Sequence, residues 1–205
     1  MIETIYEDND VVAANKPAGA LFDWVLSDRL ELIPVHRLDR DTSGVILFAK
    51  NQITADYIKN LFQTHQIQKT YHALVVGHVK EKAGIIDFTI ARSKKSPLKR
   101  IAVGRKRGRE REAITEYKVL KYFDRPALSV AEGFTLVEIY PKTGRTHQIR
   151  THFAAIGHPV ACDFLYGGKR PVCPPGVTRQ LLHAKQIELT LPSGVRITLE
   201  ADLPA

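Results

Sequence analysis

The sequence predicts an α+β protein, with a mixed and mostly antiparallel β-sheet and helices packed on it. Short segments with strand character greatly outnumber helical ones among the 205 residues. Strands and helices do not alternate as they do in proteins built from βαβ units, so a parallel sheet is not expected. Neither an internal repeat nor a low-complexity linker divides the chain. We therefore expect residues 1–205 to form a single domain.

The predicted strands are short apolar or alternating segments bounded by turn residues. In chain order they cover residues 2–7, 11–15, 45–50, 70–77, 85–90, 113–123 and 134–141, followed by a hairpin of residues 183–191 and 195–201 around PSG.

Two segments show the spacing of amphipathic helices. From Ile53 onwards apolar residues recur at helical intervals, and Asn51 is a suitable N-cap. A second helix is predicted over residues 145–157, with an apolar stripe that includes Phe153. Gly157 is suited to end this helix, and Pro159 prevents its continuation.

The positive charge of the chain is concentrated in one segment. The formal net charge is +8, and residues 92–111 contain ten lysines and arginines but a single acid, Glu110. A block of this kind commonly contacts the phosphates of a nucleic acid. The alternative is a solvated, mobile loop without a specific partner.

The cysteines and the hydropathy pattern bear on location. Cys162 and Cys173 are eleven positions apart, which fits neither a disulfide framework nor a closely spaced zinc pair. We therefore expect both thiols to be reduced and the protein to be cytoplasmic. No apolar run approaches the ~20 residues of a membrane span, and the acidic N-terminal segment does not resemble a secretory signal.

Asp39 lies between Arg37 and Arg40 in the segment VHRLDRDTSG, directly before an apolar strand. Nearby guanidinium groups favour the ionised form of a carboxylate. An ionised and oriented carboxylate can act as a nucleophile, or it can stabilise a cation that develops at a sugar carbon. The alternative is a structural ion pair that fixes the loop to the strand.

The segment PKTGRTHQIRTH suggests a site for an anion. At helical spacing, Thr143, His147, Arg150 and Thr151 share one polar face. The helix N-terminus and Arg145 add positive potential there, so the face is suited to a phosphate or to Asp39 itself. An ordinary exposed helix face is the alternative.

Tyr71 lies at the start of a predicted strand, two residues after Lys69. Its ring could stack on a nucleobase, although a strand tyrosine half buried in the core is the commoner case. The histidines form neither an HxH nor an HExxH pattern, and GRKRG lacks the strand-to-helix context of a phosphate-binding loop. We therefore expect no metal and no cofactor.

Taken together, several segments resemble the RluA family of RNA pseudouridine synthases. The matching segments are HRLDRDTSGVILFAK, KTYHALVVG, PKTGRTHQIRTHFAAIGHPVACDFLYGG and LLHA, and the resemblance runs from about residue 5 to residue 200. It implies a pseudouridine synthase catalytic domain without the S4-type domain that many relatives carry. It also implies a cofactor-free isomerisation of a uridine within RNA, and the target base must be flipped out of its stack to react.

The resemblance also implies roles for individual residues. Asp39 matches the catalytic aspartate, and which carbon it attacks is left open. Tyr71 matches a tyrosine that stacks on the uracil and can take the C5 proton, and Arg150 matches the arginine that pairs with the catalytic carboxylate. Arg37 matches an arginine that inserts into the RNA. The remaining residues expected to contact RNA are Lys16, His36, Arg40, Arg145, His147, Arg105, Lys106 and Arg107.

The expected partner is a structured transfer or ribosomal RNA, bound by a monomer that does not associate with membranes. One alternative is a non-catalytic RNA-binding protein on the same scaffold, and the intact Asp39, Tyr71 and Arg150 argue against it. Another is a nuclease or a glycosidase. A typical glycosidase needs a second catalytic carboxylate, for which Asp41 is the only close candidate.

Overall fold

A computed structural model describes residues 3–27, 29–104, 106–124 and 133–204. These residues form two compact units. The first unit consists of Met1–Tyr71 and His183–Ala205, and the second of His72–Leu182. Both units combine a mostly antiparallel sheet with one α-helix, which confirms the predicted α+β class.

The elements follow one another along the chain with these bounds. They are β1 (Thr4–Glu7), β2 (Val11–Lys16), a 3-10 turn (Trp24–Ser27), β3 (Ile33–Pro34), β4 (Ser43–Ala49), α1 (Gln52–Gln63), β5 (Gln68–Val76), β6 (Ala83–Asp87), β7 (Ile90–Ser93), β8 (Arg100–Ile101), β9 (Lys106–Arg111), β10 (Ile114–Phe123), β11 (Phe134–Pro141), α2 (Gln148–Ala155), β12 (Leu182–Thr190) and β13 (Arg196–Glu200).

The sheet of the first unit has the strand order β1-β2-β4-β12, with β3 paired to β4 and β13 paired to β12. All of these pairs are antiparallel except β4 with β12. Gly44 makes the parallel pair possible. Its φ is +112°, and a Cβ atom at this position would lie 2.2 Å from the carbonyl oxygen of Ala184, so a side chain cannot be accommodated.

Strands β2 and β4 are buried on both faces, which explains their continuous apolar sequences. On one face, Ile58 and Leu61 of α1 join an apolar cluster that includes Leu47. On the other face, Leu38 belongs to a cluster with Ile46. Burial of Leu38 places its neighbour Asp39 at the edge of the core.

In the second unit the sheet has the order β5-β11-β10-β6. Helix α2 packs closely on β10. Phe153 is completely buried and meets Tyr117 edge to face, with ring centroids 5.5 Å apart. His152 is also buried, and its Nδ1 lies 3.0 Å from the hydroxyl of Thr115. The helix therefore buries polar as well as apolar side chains.

A separate three-stranded antiparallel sheet has the order β8-β7-β9. Most of it comes from the basic segment of residues 92–111, for which the sequence suggested either a nucleic-acid contact or a solvated loop. The prediction of one strand over residues 85–90 was wrong. That segment is divided between β6 and β7, which belong to different sheets.

The two helices were predicted with different accuracy. Helix α1 begins as expected, because the Asn51 side chain accepts a hydrogen bond from the backbone N–H of Thr54 at 2.8 Å. Helix α2 is shorter than the predicted 145–157, since His147 adopts a left-handed φ of 57° and helical residues begin only at Gln148. Gly157, with a φ of +86°, follows its end as predicted.

The cysteine prediction was wrong. Cys162 and Cys173 form a disulfide across a loop that brings their Cα atoms to 4.8 Å. The backbone N–H of Cys162 donates to the carbonyl of Val172 at 3.0 Å, and this contact closes the loop. The spacing argument failed because a turn, rather than the number of intervening residues, sets the distance between the thiols. Cysteine content consequently no longer supports a reducing compartment.

Within the described part of the chain, neither helix combines the length and the apolar character that crossing a bilayer requires.

Candidate active site

Asp39 lies on the loop between β3 and β4, in the first unit. Its carbonyl accepts a hydrogen bond from the backbone N–H of Thr42 at 3.1 Å, which turns the chain into β4. Val35 and Leu38 are buried, Asp39 is half-buried, and the flanking arginines are exposed. The carboxylate is therefore held at the boundary between the apolar core and solvent.

Lys16, the last residue of β2, binds the backbone of this loop. Its side chain is 0% exposed, and Nζ donates to the carbonyl of Arg40 at 2.7 Å and to that of Pro17 at 2.9 Å. Burial lowers the pKa of Lys16 to about 8, an effect partly offset by the charges of Asp41 and Asp39. The expected contact between Lys16 and RNA is not supported, because a buried ammonium group cannot reach a phosphate.

His36 fixes the loop from the other side. Its Nε2 accepts the backbone N–H of Leu47 at 2.9 Å, and its ring lies 4.8 Å from that of Phe62. Burial, with a smaller contribution from the charge of Lys69, lowers the pKa of His36 to about 3. The imidazole is therefore neutral and directed inward, so the expected RNA contact is corrected to a role in holding the loop on β4.

Tyr71 of β5 contacts the same apolar cluster that contains Leu38. Burial raises the pKa of its phenol, and the negative charge of Asp39 raises it further. The half-buried position agrees with the reading of Tyr71 as a strand tyrosine packed on the core, and stacking on a nucleobase stays a prediction. At neutral pH the hydroxyl is protonated.

The two arginines beside Asp39 point to the surface. The Arg37 guanidinium lies 5.4 Å from the centre of the Phe22 ring, which favours a cation–π contact. Nε of Arg40 is 3.2 Å from a carboxylate oxygen of Asp41. Asp41 is thereby used within the loop, which favours a structural role over that of the second catalytic carboxylate a glycosidase would need.

Arg150 lies in the second unit, on α2. Its Nε and Nη2 donate to the two carboxylate oxygens of Asp163 at 2.6 and 2.9 Å. Asp163 is completely buried, so this is a desolvated bidentate pair. Sequence reasoning missed Asp163. The available signal was a buried arginine that needed an acidic partner close by in the chain.

The predicted anion-binding face of α2 is turned into the protein. Thr143, Arg150 and Thr151 are all buried. At the start of the helix, Oε1 of Gln148 accepts hydrogen bonds from the Thr143 hydroxyl at 2.7 Å and from the Arg145 backbone N–H at 2.9 Å. Burial of these three residues argues against the alternative of an ordinary exposed helix face, and the carboxylate that Arg150 binds in this structure belongs to Asp163.

The other two residues predicted near this helix also have partners within the second unit. Nε of Arg145 donates to the carbonyl of Glu112 at 3.0 Å. Nδ1 of His147 lies 2.9 Å from the hydroxyl of Tyr166. Both residues remain partly exposed, so contact with RNA is still sterically possible.

The backbone register of the small sheet places three arginine positions opposite one another. Arg92 of β7 is directly opposite Arg100 of β8 on one side and Arg107 of β9 on the other, and we call these residues the arginine row. Arg92 is exposed and Arg100 is half-buried. Lys106 lies opposite Ser93. The prediction for Arg105 lies outside the described residues.

Among the described residues, no group of three or more histidine, cysteine or acidic side chains is arranged to hold a metal ion.

This chain is similar to RNA pseudouridine synthases in its sequence. A family model described as RNA pseudouridylate synthase matches residues 22–155. The tRNA pseudouridine synthase C of Yersinia pestis is 37% identical over 98% of this chain and 86% of its own length. A Bacillus subtilis protein named "Uncharacterized RNA pseudouridine synthase YhcT" is 32% identical over 100% of this chain and 69% of its own length.

Solved structures give the same result. Human RNA Pseudouridylate Synthase Domain Containing 1 is similar with a TM-score of 0.85 and 25% identity, over 100% of this chain and 84% of that one. Human RNA Pseudouridylate Synthase Domain Containing 4 is similar with a TM-score of 0.75 and 26% identity, over 98% and 88% of the two chains.

Proposed function

Because the chain belongs to the RNA pseudouridylate synthase family, we propose that it converts specific uridines in transfer RNA to pseudouridine, with Asp39 as the nucleophile. The matches to the family model and to the two relatives confirm the predicted family and the predicted enzyme class, an RNA pseudouridine synthase. Transfer RNA is preferred to ribosomal RNA as the substrate because it is named for the relative from Yersinia pestis.

The observation that carries the role of Asp39 is the construction of its loop. Lys16 binds the carbonyl of Arg40, and His36 binds the strand that follows the loop. The backbone that carries Asp39 is thus fixed at the edge of the core, and its charge is within electrostatic range of a protonated Tyr71. A carboxylate on a fixed backbone loses less conformational entropy when it attacks than one on a mobile loop, which favours catalysis.

The proposed reaction rearranges bonds within one nucleotide. The bond between C1′ and N1 breaks and a bond between C1′ and C5 forms, while C5 loses a proton and N1 gains one. Asp39 attacks the nucleoside, either at the sugar or at the base, and it is released unchanged. Tyr71 stacks on the uracil, and its protonated hydroxyl can take the C5 proton only by passing its own proton on.

Access to Asp39 requires that the target nucleotide leave its stack, at a cost of a few kcal/mol. Arg37 and Arg40 are exposed on either side of Asp39 and can bind the displaced backbone. Arg150 remains the proposed partner of the catalytic carboxylate through its match to the family motif.

The arginine row is a second proposed RNA contact. Like charges placed directly opposite each other across strands destabilise a sheet. The phosphates of an RNA backbone would neutralise that repulsion, and the exposed Arg92 at the centre of the row can reach them. Lys106 on β9 lies opposite the uncharged Ser93, and it is included in the proposal because it belongs to the same basic segment.

Three further proposals concern the molecule as a whole. We propose that residues 1–205 act as one catalytic domain, supported by similarity over 100% of the chain to the first human structure. We propose that the protein is a monomer. We also propose that it acts in the cytoplasm, an inference that rests on its RNA substrate and no longer on its cysteines.

The function is tested by incubating the purified protein with transfer RNA and mapping pseudouridine at nucleotide resolution. We expect pseudouridine at one or a few positions in an RNA of unchanged mass. Asp39→Asn removes the nucleophilic charge at nearly constant shape, so it should abolish tritium release from 5-tritiated uridine while RNA binding persists. Turnover within about tenfold of wild type would falsify the nucleophile assignment.

The same incubation distinguishes the alternative functions. Cleavage of the strand would indicate a nuclease, and release of free uracil would indicate a glycosidase. Bound but unaltered RNA would indicate a non-catalytic binding protein. Modification of ribosomal RNA alone would retain the enzyme class and change the substrate.

A further inference from the structure

The environment of Arg150 extends beyond its ion pair with Asp163. The Oδ1 atom that receives Nη2 of Arg150 also accepts the backbone N–H groups of Leu165 and Tyr166, at 2.9 and 3.0 Å. The carboxylate is therefore fixed by the backbone that follows it. As a result, the edge of the guanidinium formed by Nε and Nη2 has a defined position.

Tyr166 fixes the face of the same guanidinium. The central carbon of Arg150 lies 5.1 Å from the centre of the Tyr166 ring, within the range of a cation–π contact. Arg150 is thus held along one edge by a carboxylate and across one face by an aromatic ring. Together, these contacts restrict both the translation and the rotation of the group.

The hydroxyl of Tyr166 anchors the far end of its ring. It accepts the backbone N–H of Arg100, on β8, at 2.9 Å, and it lies 2.9 Å from Nδ1 of His147. Burial raises the pKa of this phenol, so the hydroxyl remains protonated and can donate to an unprotonated Nδ1. The ring consequently bridges three separate segments of the second unit.

The backbone of His147 gives independent evidence that the surrounding contacts constrain this region. Its φ of 57° places a residue with a Cβ atom in the left-handed region, which costs of order 1–3 kcal/mol and persists where surrounding contacts enforce it. The His147 ring meets that of Tyr166 edge to face at 5.7 Å. The strained residue thus starts α2 against the tyrosine that supports Arg150.

We propose that Tyr166 is a positioning residue for the pseudouridylation reaction, and that it orients the Arg150 guanidinium through its ring while Arg100 and His147 hold its hydroxyl. This inference rests on the proposed function, because it assumes that Arg150 acts in catalysis. It adds a link between Arg150 and β8, a strand of the small basic sheet.

Tyr166→Phe tests the proposal, because it keeps the ring beneath Arg150 and removes only the anchoring hydroxyl. We expect the single-turnover rate at saturating RNA to fall by about tenfold or more. The Kd for RNA should stay within about twofold of wild type, since no group directed at the RNA is removed. Tyr122→Phe is the matched control, because that hydroxyl donates to the carbonyl of Val79 within the same unit.

A double-mutant cycle with Arg150→Lys separates positioning from a general loss of structure. If Tyr166 acts through Arg150, Tyr166→Phe should cost little in the Arg150→Lys background. Additive rate losses would overturn the proposal, and so would a fully active Tyr166→Phe or an equal loss in Tyr122→Phe. A wild type that forms no pseudouridine would refute the proposed function instead.

A measurement on the wild-type fold keeps the proposal testable if Tyr166→Phe does not fold. In an NMR spectrum, the Nε–H signal of Arg150 can be identified by its loss in Arg150→Lys. The Nε proton should exchange slowly with solvent because it is buried against Asp163. It should also be shifted upfield by the Tyr166 ring. Rapid exchange or the absence of a ring-current shift would overturn the positioning role.

Discussion

The contribution of the Tyr71 hydroxyl to the reaction can be tested with a single substitution. Tyr71→Phe preserves the ring face proposed to stack on uracil and removes the hydroxyl that burial keeps protonated. We expect the affinity for RNA to be largely retained and most of the rate to be lost, as measured by single-turnover tritium release.

Tyr57→Phe provides a control from the same unit. The hydroxyl of Tyr57 donates to the carbonyl of Thr190 at 3.2 Å and is exposed. We expect this variant to react at the wild-type rate. A fully active Tyr71→Phe would restrict Tyr71 to stacking or packing.

His36 predicts a specific dependence of stability on pH. Its pKa is about 3 in the folded protein and near 6.5 when unfolded, so between these values the unfolded chain binds the additional proton. The free energy of unfolding should therefore decrease as the pH falls from 6.5 towards 3, by up to about 1.4 kcal/mol per pH unit from this residue.

Urea unfolding at several pH values checks this prediction. In His36→Gln, an amide oxygen can accept the Leu47 N–H without titrating, so the free energy of unfolding should depend less steeply on pH. The exposed His65, which has a φ of 58°, provides the control variant His65→Asn. Equal slopes in wild type and His36→Gln would contradict the assignment of a buried neutral imidazole.

At the residue scale, the sequence identified which side chains carry chemistry better than where they point. Asp39 stood out because two arginines flank it before an apolar strand. The sequence predicts RNA contacts for Lys16 and His36, whereas the side chains of both residues bind backbone groups. The direction of these side chains depends on burial against β2 and β4, which the local sequence does not encode. Asp163 was missed although its partner Arg150 is only thirteen residues away, because the burial of that arginine is not visible in the sequence, and Tyr166 was missed because its hydroxyl binds the distant Arg100.

At the scale of elements, the arginine row gives a prediction about salt. If Arg92, Arg100 and Arg107 each neutralise a phosphate, replacing all three with glutamine should weaken RNA binding. It should also reduce the slope of log affinity against log salt by about 0.7–0.9 per contact, or roughly 2–3 in total. The saturating single-turnover rate should change little, because Asp39 and Tyr71 are untouched.

Binding titrations at several salt concentrations measure both quantities. Lys82, Lys118 and Lys121 are exposed in the same unit, and replacing them with glutamine removes the same charge outside the row. We expect this control to keep most of the wild-type slope. Unchanged affinity and slope in the arginine variant would remove the row from the RNA interface.

Elements with a clear hydrophobic period were predicted well, and those dominated by charge were not. Helix α1 and strands β10 and β11 follow their periodicity, since one face of each packs against apolar neighbours. Strands β8 and β9 consist largely of basic residues, so their pairing with β7 left no apolar pattern to read. The early part of predicted α2 failed because His147 leaves the helical region, a tertiary effect.

At the scale of the whole molecule, the order in which the chain is made matters for the first unit. Strand β12 pairs in parallel with β4, through His183 with Ser43 and Ala184 with Gly44. Contacts between residues this distant in sequence form slowly, because the chain loses the entropy of closing a long loop before the contacts can stabilise it.

During synthesis on the ribosome, residues 72–182 can therefore collapse as a continuous unit while β4 still lacks its neighbour. Strand β4, into which the Asp39 loop leads, gains its parallel neighbour only after residues 183 and 184 have emerged. We expect a nascent chain stalled before that point to be inactive, although it already carries Asp39, Tyr71 and Arg150, because β4 lacks this pair. Pairing of β12 with β4, rather than synthesis of the proposed catalytic side chains, would thus set the moment at which the enzyme becomes active.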